Sequence, residues 1–593
     1  LTINASGGSV RQQGTANNTL FLTAGAGDIQ INAPVATNGG NLTLAKSGSG
    51  TVTLSGGATL AAGTIDVNAG KLVVDTTAVT TTGAVAVFGG AEANFTVPSG
   101  TTGAWTVGAT YAPAPAVATL SVAPGGTLST GAISVGTANM GNGGSPAGHV
   151  LNVTGGGTVT LSGYLFAGGA GGTATVNVSG ETTVLKSTGT TNHFDAGSGA
   201  GAITYFNQSG GTLTFNYEDW GAGGSAIAYQ TGGKNTVRGI GESGGQVSTY
   251  TLLGGTLDGH LNLCGGPGGG SNSGDGAIGT LTVLGGTATA SNGYLCGSST
   301  TRTGMTATLN VGGGDVICTN GVNASSSAVG NSVVNLTGGT LTTTKIVTGT
   351  TGGTSTINLA GGTIKYSANS SGTNWMDVTK AYLFAGGVTI DTNGKNGTIF
   401  KDFTPAAGSG IATVAVDTAG AGYTAAPAVS FTGGVLAPGG SPAEAVATYD
   451  RDLGTVTGIV IVNPGQYTTL PTGVALSRQV GDLDTWTTAA TASVTGSASN
   501  AGGGLTKTGN GTLTLAAVNT YTGDTTVNGG TLTLADNAGL MFVIGANGVS
   551  NKITGTGTLS VAGDFAFDLT SADATAGNQW TIVDVAGLTE TFQ

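Results

Sequence analysis

Val334-Asn-Leu-Thr-Gly-Gly-Thr-Leu341 is followed 23 residues later by Ile357-Asn-Leu-Ala-Gly-Gly-Thr-Ile364. Each segment contains an apolar–polar–apolar triplet, a Gly-Gly pair, a threonine and a further apolar residue. Related segments occur throughout the middle of the chain, where from Gly125 to Gly361 the glycine corner recurs in nine intervals of 22–31 residues, about 26 on average. A period of 20 to 50 residues indicates a solenoid or a propeller. The chain is therefore a stack of repeats.

The alternation inside each repeat predicts β-strands. Leu309-Asn-Val311 shows the same apolar–polar–apolar order, which has the period of two that a half-buried strand requires. Glu and Lys are scarce, and Gly, Thr or Val interrupts every stretch, so no stable helix is expected. A propeller blade needs four strands and roughly 40 residues, whereas a shorter coil suits about three short strands joined by turns. The sequence predicts an all-β, right-handed parallel β-solenoid.

Composition decides between a folded and a disordered chain. Gly accounts for 114 of the 593 residues and charged residues for only 7%, which makes disorder the first alternative. The hydrophobic content of 38% argues against it, since each coil has two or more apolar residues to point inward. The net charge of −12 provides no basic face, so no nucleic-acid partner is expected. Few charges also mean little repulsion between copies, which favours self-association.

The ends of the sequence bear on targeting. Leu1 is not a methionine and no signal-like segment precedes it, so we expect either a removed signal or a fragment. No run of 18 apolar residues occurs, so we expect no transmembrane segment in this chain. A membrane anchor, if one exists, is expected to lie outside this sequence.

The character of the sequence changes between residues 408 and 482. Gly-Gly-Thr disappears, prolines gather, and Gly422-Tyr-Thr-Ala-Ala-Pro427 returns as Gln466-Tyr-Thr-Thr-Leu-Pro471. We predict a solenoid over residues 1–407, a small duplicated β module over 408–482, and a resumed solenoid with a C-terminal β segment over 483–593. The duplicated motif resembles Gly-Tyr-Thr-x-x-Pro repeats of phage and bacterial surface proteins, with Gln466 in place of the usual glycine.

The resumed solenoid contains the most distinctive stretch. Leu505-Thr-Lys-Thr-Gly-Asn-Gly-Thr-Leu-Thr-Leu515 runs into Asn519-Thr-Tyr-Thr-Gly-Asp-Thr-Thr-Val-Asn-Gly-Gly-Thr-Leu532. Residues 505–534 resemble the passenger-associated β-strand repeat of autotransporters and related secreted bacterial proteins, with Asp524 where Gly is commoner. The resemblance implies a secreted β-solenoid, extracellular or on a bacterial cell surface, and implies no reaction.

Tyr217-Glu-Asp-Trp220 is the densest group of side chains that could act on a ligand. Counted from the glycine corners, Trp220 shares an inward column with other residues that directly precede a Gly, namely Val135, Ala167, Cys264 and Cys296. Alternation then directs one of Glu218 and Asp219 to solvent, and we expect no partner acid from the adjacent coils. Tyr217, Glu218 and Asp219 are therefore candidate ligand contacts, with a structural role as the favoured interpretation. No catalytic residue, cofactor-binding residue or cofactor is predicted.

Other ligand-forming residue types give weaker signals. Asp450-Arg-Asp452 and Asp482-Leu-Asp484 could chelate Ca²⁺ through oxygen atoms, but without the Gly and distal Glu of an EF-hand loop they are better interpreted as solvated turns. The three histidines lie in different coils without metal-binding spacing, and no metal site is predicted; they are His149, His193 and His260.

Cysteines and aromatic residues leave two alternatives open. Stacked positions lie about 4.8 Å apart, which fits the Cα separation of a disulfide between Cys264 and Cys296 but is long for the Cβ separation. Small buried hydrophobic side chains are the favoured interpretation. The nearest approach to an aromatic cluster is expected to be mainly core, with an exposed row that stacks on sugar rings as the alternative; it comprises Tyr164, Phe166, Tyr205, Phe206, Phe215 and Tyr217.

These features favour a non-enzymatic extracellular structural or adhesive solenoid that self-associates end to end into fibres or a matrix. The alternative is a carbohydrate-binding or polysaccharide-degrading β-helix protein, with a surface polysaccharide as its partner. That function requires several acids or aromatic residues in register along one groove. A third hypothesis is that the solenoid only holds the module over residues 408–482 away from the cell.

Overall fold

The computed structural model describes residues 2–3, 10–11, 18–36, 42–55, 59–108, 114–136, 148–189, 192–221, 223–237, 239–240, 246–264, 276–296, 304–325, 330–348, 353–370, 374–478 and 486–590. These residues form strands, turns and bends without a helix. None of them therefore belongs to a helix that could span a bilayer. Two compact units are distinguished, one of residues up to Asp258 and one beginning at Gly259.

The first unit contains 29 strands among its described residues. They are β1 Thr2–Ile3, β2 Val10–Arg11, β3 Asn18–Thr23, β4 Ile29–Ile31, β5 Val35–Ala36, β6 Leu42–Ser47, β7 Thr51–Leu54, β8 Thr59–Ala62, β9 Thr64–Val67, β10 Gly70–Asp75, β11 Ala78–Thr81, β12 Val85–Val87, β13 Ala91–Thr101, β14 Trp105–Val107, β15 Val117–Thr130, β16 Ile133–Val135, β17 His149–Thr154, β18 Thr158–Leu161, β19 Leu165–Ala167, β20 Thr173–Val178, β21 Val184–Ser187, β22 His193–Ala196, β23 Ile203–Gln208, β24 Thr212–Thr214, β25 Tyr217–Trp220, β26 Ser225–Gln230, β27 Lys234–Val237, β28 Gly239–Ile240 and β29 Val247–Leu252.

Strand β30, Thr256–Asn262, includes the boundary between the units. The strands described in the second unit are β31 Ile278–Val283, β32 Thr287–Tyr294, β33 Thr306–Val311, β34 Asp315–Cys318, β35 Val322–Ser325, β36 Asn331–Leu336, β37 Thr340–Thr343, β38 Ile346–Thr348, β39 Thr354–Leu359, β40 Thr363–Tyr366, β41 Asn374–Asp377, β42 Lys380–Leu383, β43 Val388–Asp391, β44 Gly397–Ile399, β45 Thr404–Pro405, β46 Ser409–Thr418, β47 Ala428–Thr432, β48 Val435–Leu436, β49 Glu444–Asp450, β50 Thr455–Asn463, β51 Tyr467–Thr469, β52 Gly473–Ser477, β53 Thr491–Ser499, β54 Leu505–Thr508, β55 Thr512–Leu515, β56 Val518–Asn519, β57 Thr525–Val527, β58 Thr531–Leu534, β59 Gly539–Val543, β60 Ile553–Val561, β61 Asp564–Asp568 and β62 Val583–Glu590.

Parallel pairing between successive coils builds the first unit. From β17 to β28 each coil contains three strands, and the strands pair in parallel three places apart, from β17 with β20 to β25 with β28. Ten of the described strands form one continuous parallel sheet in the order β3, β6, β9, β12, β14, β16, β19, β22, β25 and β28. The predicted parallel β-solenoid is confirmed.

The second unit repeats this arrangement. β36 pairs with β39 in register, so that Val334 lies opposite Ile357 and Leu336 opposite Leu359. These are the segments whose sequence similarity predicted the repeat. The apolar residues of each triplet point inward and are buried, and the asparagine between them occupies the opposite face. Stacking identical positions thus converts sequence periodicity into a continuous core.

An antiparallel module interrupts the chain of the second unit without breaking its ladder. The solenoid continues directly from β43 to β54, with Val388 opposite Leu505. Between them β46–β53 form two four-stranded antiparallel sheets. Antiparallel pairing extends from Ser409 to Ser499. The Asn500 side chain donates hydrogen bonds to the carbonyls of Ala407 and Gly465, both at 2.9 Å, and thereby holds the two ends of the insertion together.

A ladder of asparagines supports the module on the flank of the solenoid. The Asn335 amide nitrogen donates to Asn310 Oδ1 at 2.8 Å and to Glu444 Oε2 of the module at 3.0 Å. Asn358 in turn donates to Asn335 Oδ1 at 2.8 Å. Burial raises the pKa of Glu444, while its hydrogen bond with Asn335 opposes the rise. The contact therefore joins the insert to three successive coils.

Candidate functional site

The outward face of the ten-stranded sheet brings chemically active side chains together in one column. Phe166 of β19 lies opposite Asp195 of β22, which lies opposite Asp219 of β25. Gly239 of β28 follows in the same column. Because side chains alternate along a strand, the neighbouring residues Phe194, Glu218 and Trp220 are directed inward.

Glu218 consequently belongs to the interior. It is 1% exposed and lies in a core that also contains Trp220 and Tyr250, whose rings meet edge to face at 5.5 Å between centroids. Burial raises the pKa of Glu218 well above its usual range, Asn235 opposes the rise and Asp219 adds to it. The neutral carboxyl is favoured, and its inward position separates it from any ligand on the outer surface.

Asp219 lies on the outer face with two partners from the preceding coil. Its Oδ2 is 4.0 Å from His193 Nδ1, and Asp195 Oδ1 is 3.7 Å from the same nitrogen. Each of these three residues offers one ligand atom within 4.8 Å of the others. The expectation that adjacent coils offer no partner acid is wrong, because Asp195 stands directly opposite Asp219. The side chain of Tyr217 lies outside the described residues.

This error arose because the predicted inward column left out one residue, Ala196. The predicted column contained Val135, Ala167 and Trp220, which do stack through successive pairings, with Ala196 between the last two. Ala196 also directly precedes a glycine, so the same counting rule could have included it. Its inclusion would have placed Asp195 beside Asp219 from the sequence alone.

Two aromatic side chains lie beside the carboxylates on this face. Tyr164 and Phe166 are half-buried and stack with ring centroids 5.1 Å apart and planes 18° apart. Tyr164 also contacts the His193 ring edge to face at 5.4 Å. Their predicted companions Tyr205, Phe206 and Phe215 are instead buried in the core. The outer face therefore holds an aromatic pair next to two acids and a histidine.

The remaining histidines do not join this group. His149 is fully buried, and its Nδ1 accepts a hydrogen bond from the Ala116 N–H at 2.8 Å. Burial lowers the pKa of His149 to about 4. His260 is exposed on β30. His149 is thus a core residue whose Nδ1 atom has a hydrogen-bond donor. Its side chain stays neutral near pH 7.

The proposed calcium ligands behave as turn residues where they are described. Asp450 Oδ1 accepts hydrogen bonds from the N–H groups of Asp452 and Leu453 at 2.9 and 3.0 Å. Asp452 pairs with Arg451 at 2.7 Å. This geometry is that of a side-chain-capped turn between β49 and β50. Asp482 and Asp484 lie outside the described residues.

The cysteines are small buried residues. Cys264, Cys296 and Cys318 are all buried, and none of the three forms a disulfide. The Cys264 thiol donates to the Thr306 carbonyl at 2.9 Å, and burial raises the pKa of the Cys318 thiol to about 12. The favoured interpretation over a Cys264–Cys296 disulfide is confirmed.

Two buried lysines, one in each unit, occupy separate but similar structural sites that were not predicted from the sequence. The Lys46 amine donates to the carbonyls of Ser47, Gly48 and Ala69 at 2.7–2.9 Å. The Lys507 amine donates to the carbonyls of its own turn and of the next coil, and to a threonine hydroxyl, namely Thr508, Gly509, Gly529 and Thr392, at 2.6–3.0 Å. Both lysines are fully buried. Burial lowers the pKa of Lys507 to about 8, although Asp391 opposes the change.

Glutamines perform the same task elsewhere in the first unit. Gln230 Nε2 donates to the carbonyls of Gly232 and Gly233 and to Thr256 of the following coil at 3.1–3.3 Å. Gln208 donates to Gly211 and Lys234 in the same way. Lys and Gln therefore share one position, an inward residue two places before a glycine corner, and connect that corner to the next. In the sequence, each of these Lys and Gln residues is a single polar residue at a repeat position that is otherwise apolar. This departure from the pattern could have identified them.

Comparison with known proteins singles out the segments around the two lysines. The family model of the passenger-associated-transport-repeat matches residues 39–74 and 505–534. The second match coincides with the segment whose resemblance was noted from the sequence. No curated protein and no solved structure matches the chain.

Proposed function

We propose that this chain, which carries two passenger-associated transport repeats, is a non-enzymatic extracellular structural or adhesive solenoid of a bacterial surface. The observation that supports this proposal most directly is the place of the repeats in the fold. Residues 505–515 stack in register on the coil that contains Val388, across an inserted module whose antiparallel pairing runs from Ser409 to Ser499. The second repeat thus extends the scaffold directly after the inserted module.

The distribution of polar groups fits a scaffold. The outward positions are mainly Thr, Ser, Asn and Gly, and only 7% of all residues are charged. The acidic groups that do converge are confined to the column of Asp195 and Asp219 in the described part of the first unit. Two copies with such a surface repel each other only weakly as they approach, because few charges produce little long-range electrostatic repulsion. We propose self-association through exposed strand edges, which present unpaired backbone donors and acceptors.

Export and assembly are tested separately. A chain tagged after Asn547, in an exposed turn, is expected to be accessible to antibody on intact cells of an exporting host. Negative-stain electron microscopy and light scattering of the purified chain over a hundredfold concentration range should then show filaments or growing mass. Monodisperse monomers at the highest concentration would contradict self-association, and a strictly cytoplasmic chain would contradict the extracellular role.

A second candidate function is carbohydrate binding, which the stacked Tyr164–Phe166 pair favours. Aromatic faces next to carboxylates suit sugar rings, which present C–H groups to the ring and hydroxyls to the acids. Phe166→Ala is expected to lower retention on a polysaccharide panel at least tenfold if this face binds glycans. Phe21→Ala is the matched control, because Phe21 stands in the same outward column of the same sheet, is 71% exposed, and pairs with Ala45. Equal retention of both variants would eliminate this candidate.

A further inference from the structure

His193, Asp195 and Asp219 form a three-residue cluster on adjacent coils of the first unit. His193 and Asp195 project from the same face of β22, because they are two positions apart on one strand. Asp219 projects from the equivalent place on β25. Their side chains retain 25%, 17% and 10% exposure, so the cluster is partly buried and open to solvent.

The distances within the cluster suit an ion between the side chains. The His193 nitrogen is 3.7 Å and 4.0 Å from the two carboxylate oxygens, beyond the range of a hydrogen bond between those atoms. Zn²⁺ holds nitrogen and oxygen ligands at about 2.0–2.1 Å, which sets tetrahedral ligands roughly 3.3 Å apart. Small side-chain rotations would bring the three atoms to that separation. A cation would also relieve the repulsion between two acids that stand directly opposite each other.

The donor set distinguishes between classes of metal. Ca²⁺ and Mg²⁺ bind oxygen ligands, and Ca²⁺ requires six to eight of them. An imidazole nitrogen with two carboxylates instead suits Zn²⁺ and other divalent first-row metals. Three protein ligands leave the remaining coordination positions to water or to a ligand from solution.

We propose that His193, Asp195 and Asp219 bind a divalent first-row transition metal ion, with Zn²⁺ as the favoured ion, on the outer face of the solenoid. This inference goes beyond the proposed structural function and does not depend on it. Tyr164 supports the site through its edge contact with the His193 ring. On the far side of Asp219 the column continues with Gly239, a residue without a side chain at that register. Aromatic rings therefore bound the site toward one end of the column.

Isothermal titration of the full chain with ZnCl₂ tests the proposal. We expect one site per chain with micromolar or tighter affinity, and at least a tenfold loss in His193→Ala and in Asp219→Asn. Asp66→Asn is the matched control, because Asp66 occupies the same outward column but stands between Ala45 and Ala86. Its affinity is expected to equal that of the wild type. Absence of saturable binding, or equal affinity in the His193 and Asp66 variants, would overturn the proposal.

A second measurement guards against misfolded variants and against binding by cysteine. Each variant should show the wild-type circular dichroism and melting temperature without metal. Co²⁺ bound at the site is expected to give d–d absorption without a thiolate-to-cobalt charge-transfer band, and to be displaced by Zn²⁺ but not by Ca²⁺. A thiolate band would assign the metal to cysteine and refute the site.

Discussion

Lys46 and Lys507 occupy equivalent positions in coils 461 residues apart, and each buried amine donates to carbonyls of two successive glycine corners. Ala69 and Gly529, the acceptors in the following coil, lie 23 and 22 residues beyond their lysines. Each lysine is followed by Ser or Thr, then Gly-x-Gly-Thr. The lysine therefore satisfies corner carbonyls that the strand ladder leaves without donors. The two matched segments therefore share a buried lysine donor in addition to their glycine pattern.

Replacing Lys507 distinguishes hydrogen bonding from packing. Lys507→Met should destabilise the coil by about 2–4 kcal/mol, because the half-buried carbonyls of Gly509 and Gly529 lose the lysine donor. Lys507→Gln should cost less than half as much, since Gln208 and Gln230 perform the same task in the first unit. Hydrogen exchange of residues 505–534 measures the local effect, which suits a repeat array. Equal protection in the two variants would show that the amide cannot replace the amine.

Because His149 is buried, the stability of the first unit is expected to decrease in acid. Its pKa is lowered to about 4 in the folded chain, whereas the unfolded residue titrates near 6.5. Between these values the unfolded chain binds more protons, so the free energy of unfolding decreases as the pH falls from about 6.5 to 4, by about 3 kcal/mol in total. Protonation at Nδ1 would also oppose the N–H donor of Ala116.

The variant His149→Asn retains a hydrogen-bond acceptor and should lose this pH dependence. Urea unfolding at pH 7, 5.5 and 4.5, followed by hydrogen exchange of residues 114–136, provides the measurement. His260→Gln is the control, because His260 is exposed. A wild-type pH slope that persists in His149→Asn would assign the acid sensitivity to another group.

The hydrogen bond between Asn335 and Glu444 is expected to help attach the module to the solenoid. Glu444→Ala removes the acceptor for Asn335 and should increase cleavage of the segments that join the module to the solenoid by limited proteolysis, about five- to tenfold. Glu444→Gln should stay near the wild type, because an amide oxygen can still accept this hydrogen bond. Electron microscopy should show unchanged solenoids in both variants. Unchanged cleavage of Glu444→Ala would mean that other contacts hold the module.

Replacing Gly397 tests how closely the side chains around it are packed in the second unit. A Cβ atom there would lie 2.1 Å from the Trp375 ring, which itself stacks on Tyr366 at 4.0 Å. Gly397→Ala should therefore cost about 1–3 kcal/mol through overpacking. Gly27→Ala is a suitable comparison, since no atom lies within 4 Å of the place its Cβ would take. Similar melting curves for the two variants would contradict this explanation.

Sequence periodicity predicted the fold because each coil repeats the same inward positions. The triplets around Asn335 and Asn358 have the period of a strand, and in the structure they lie opposite each other. The cluster around Asp219 was not predicted, because it depends on which residue of one coil faces which residue of the next. The coil lengths vary, so a single omitted alanine, Ala196, shifted that comparison. Register across irregular turns is a tertiary property that spacing alone does not define.

The direct continuation from Val388 to Leu505 has a consequence for the evolution and engineering of such chains. Since the two ends of the insertion meet at Ala407 and Asn500, an unrelated domain with neighbouring termini could replace the module while the underlying coils keep their pairing. This point of insertion therefore accepts a folded domain as a guest. Modules with different binding specificities could be exchanged there without redesigning the coils beneath them.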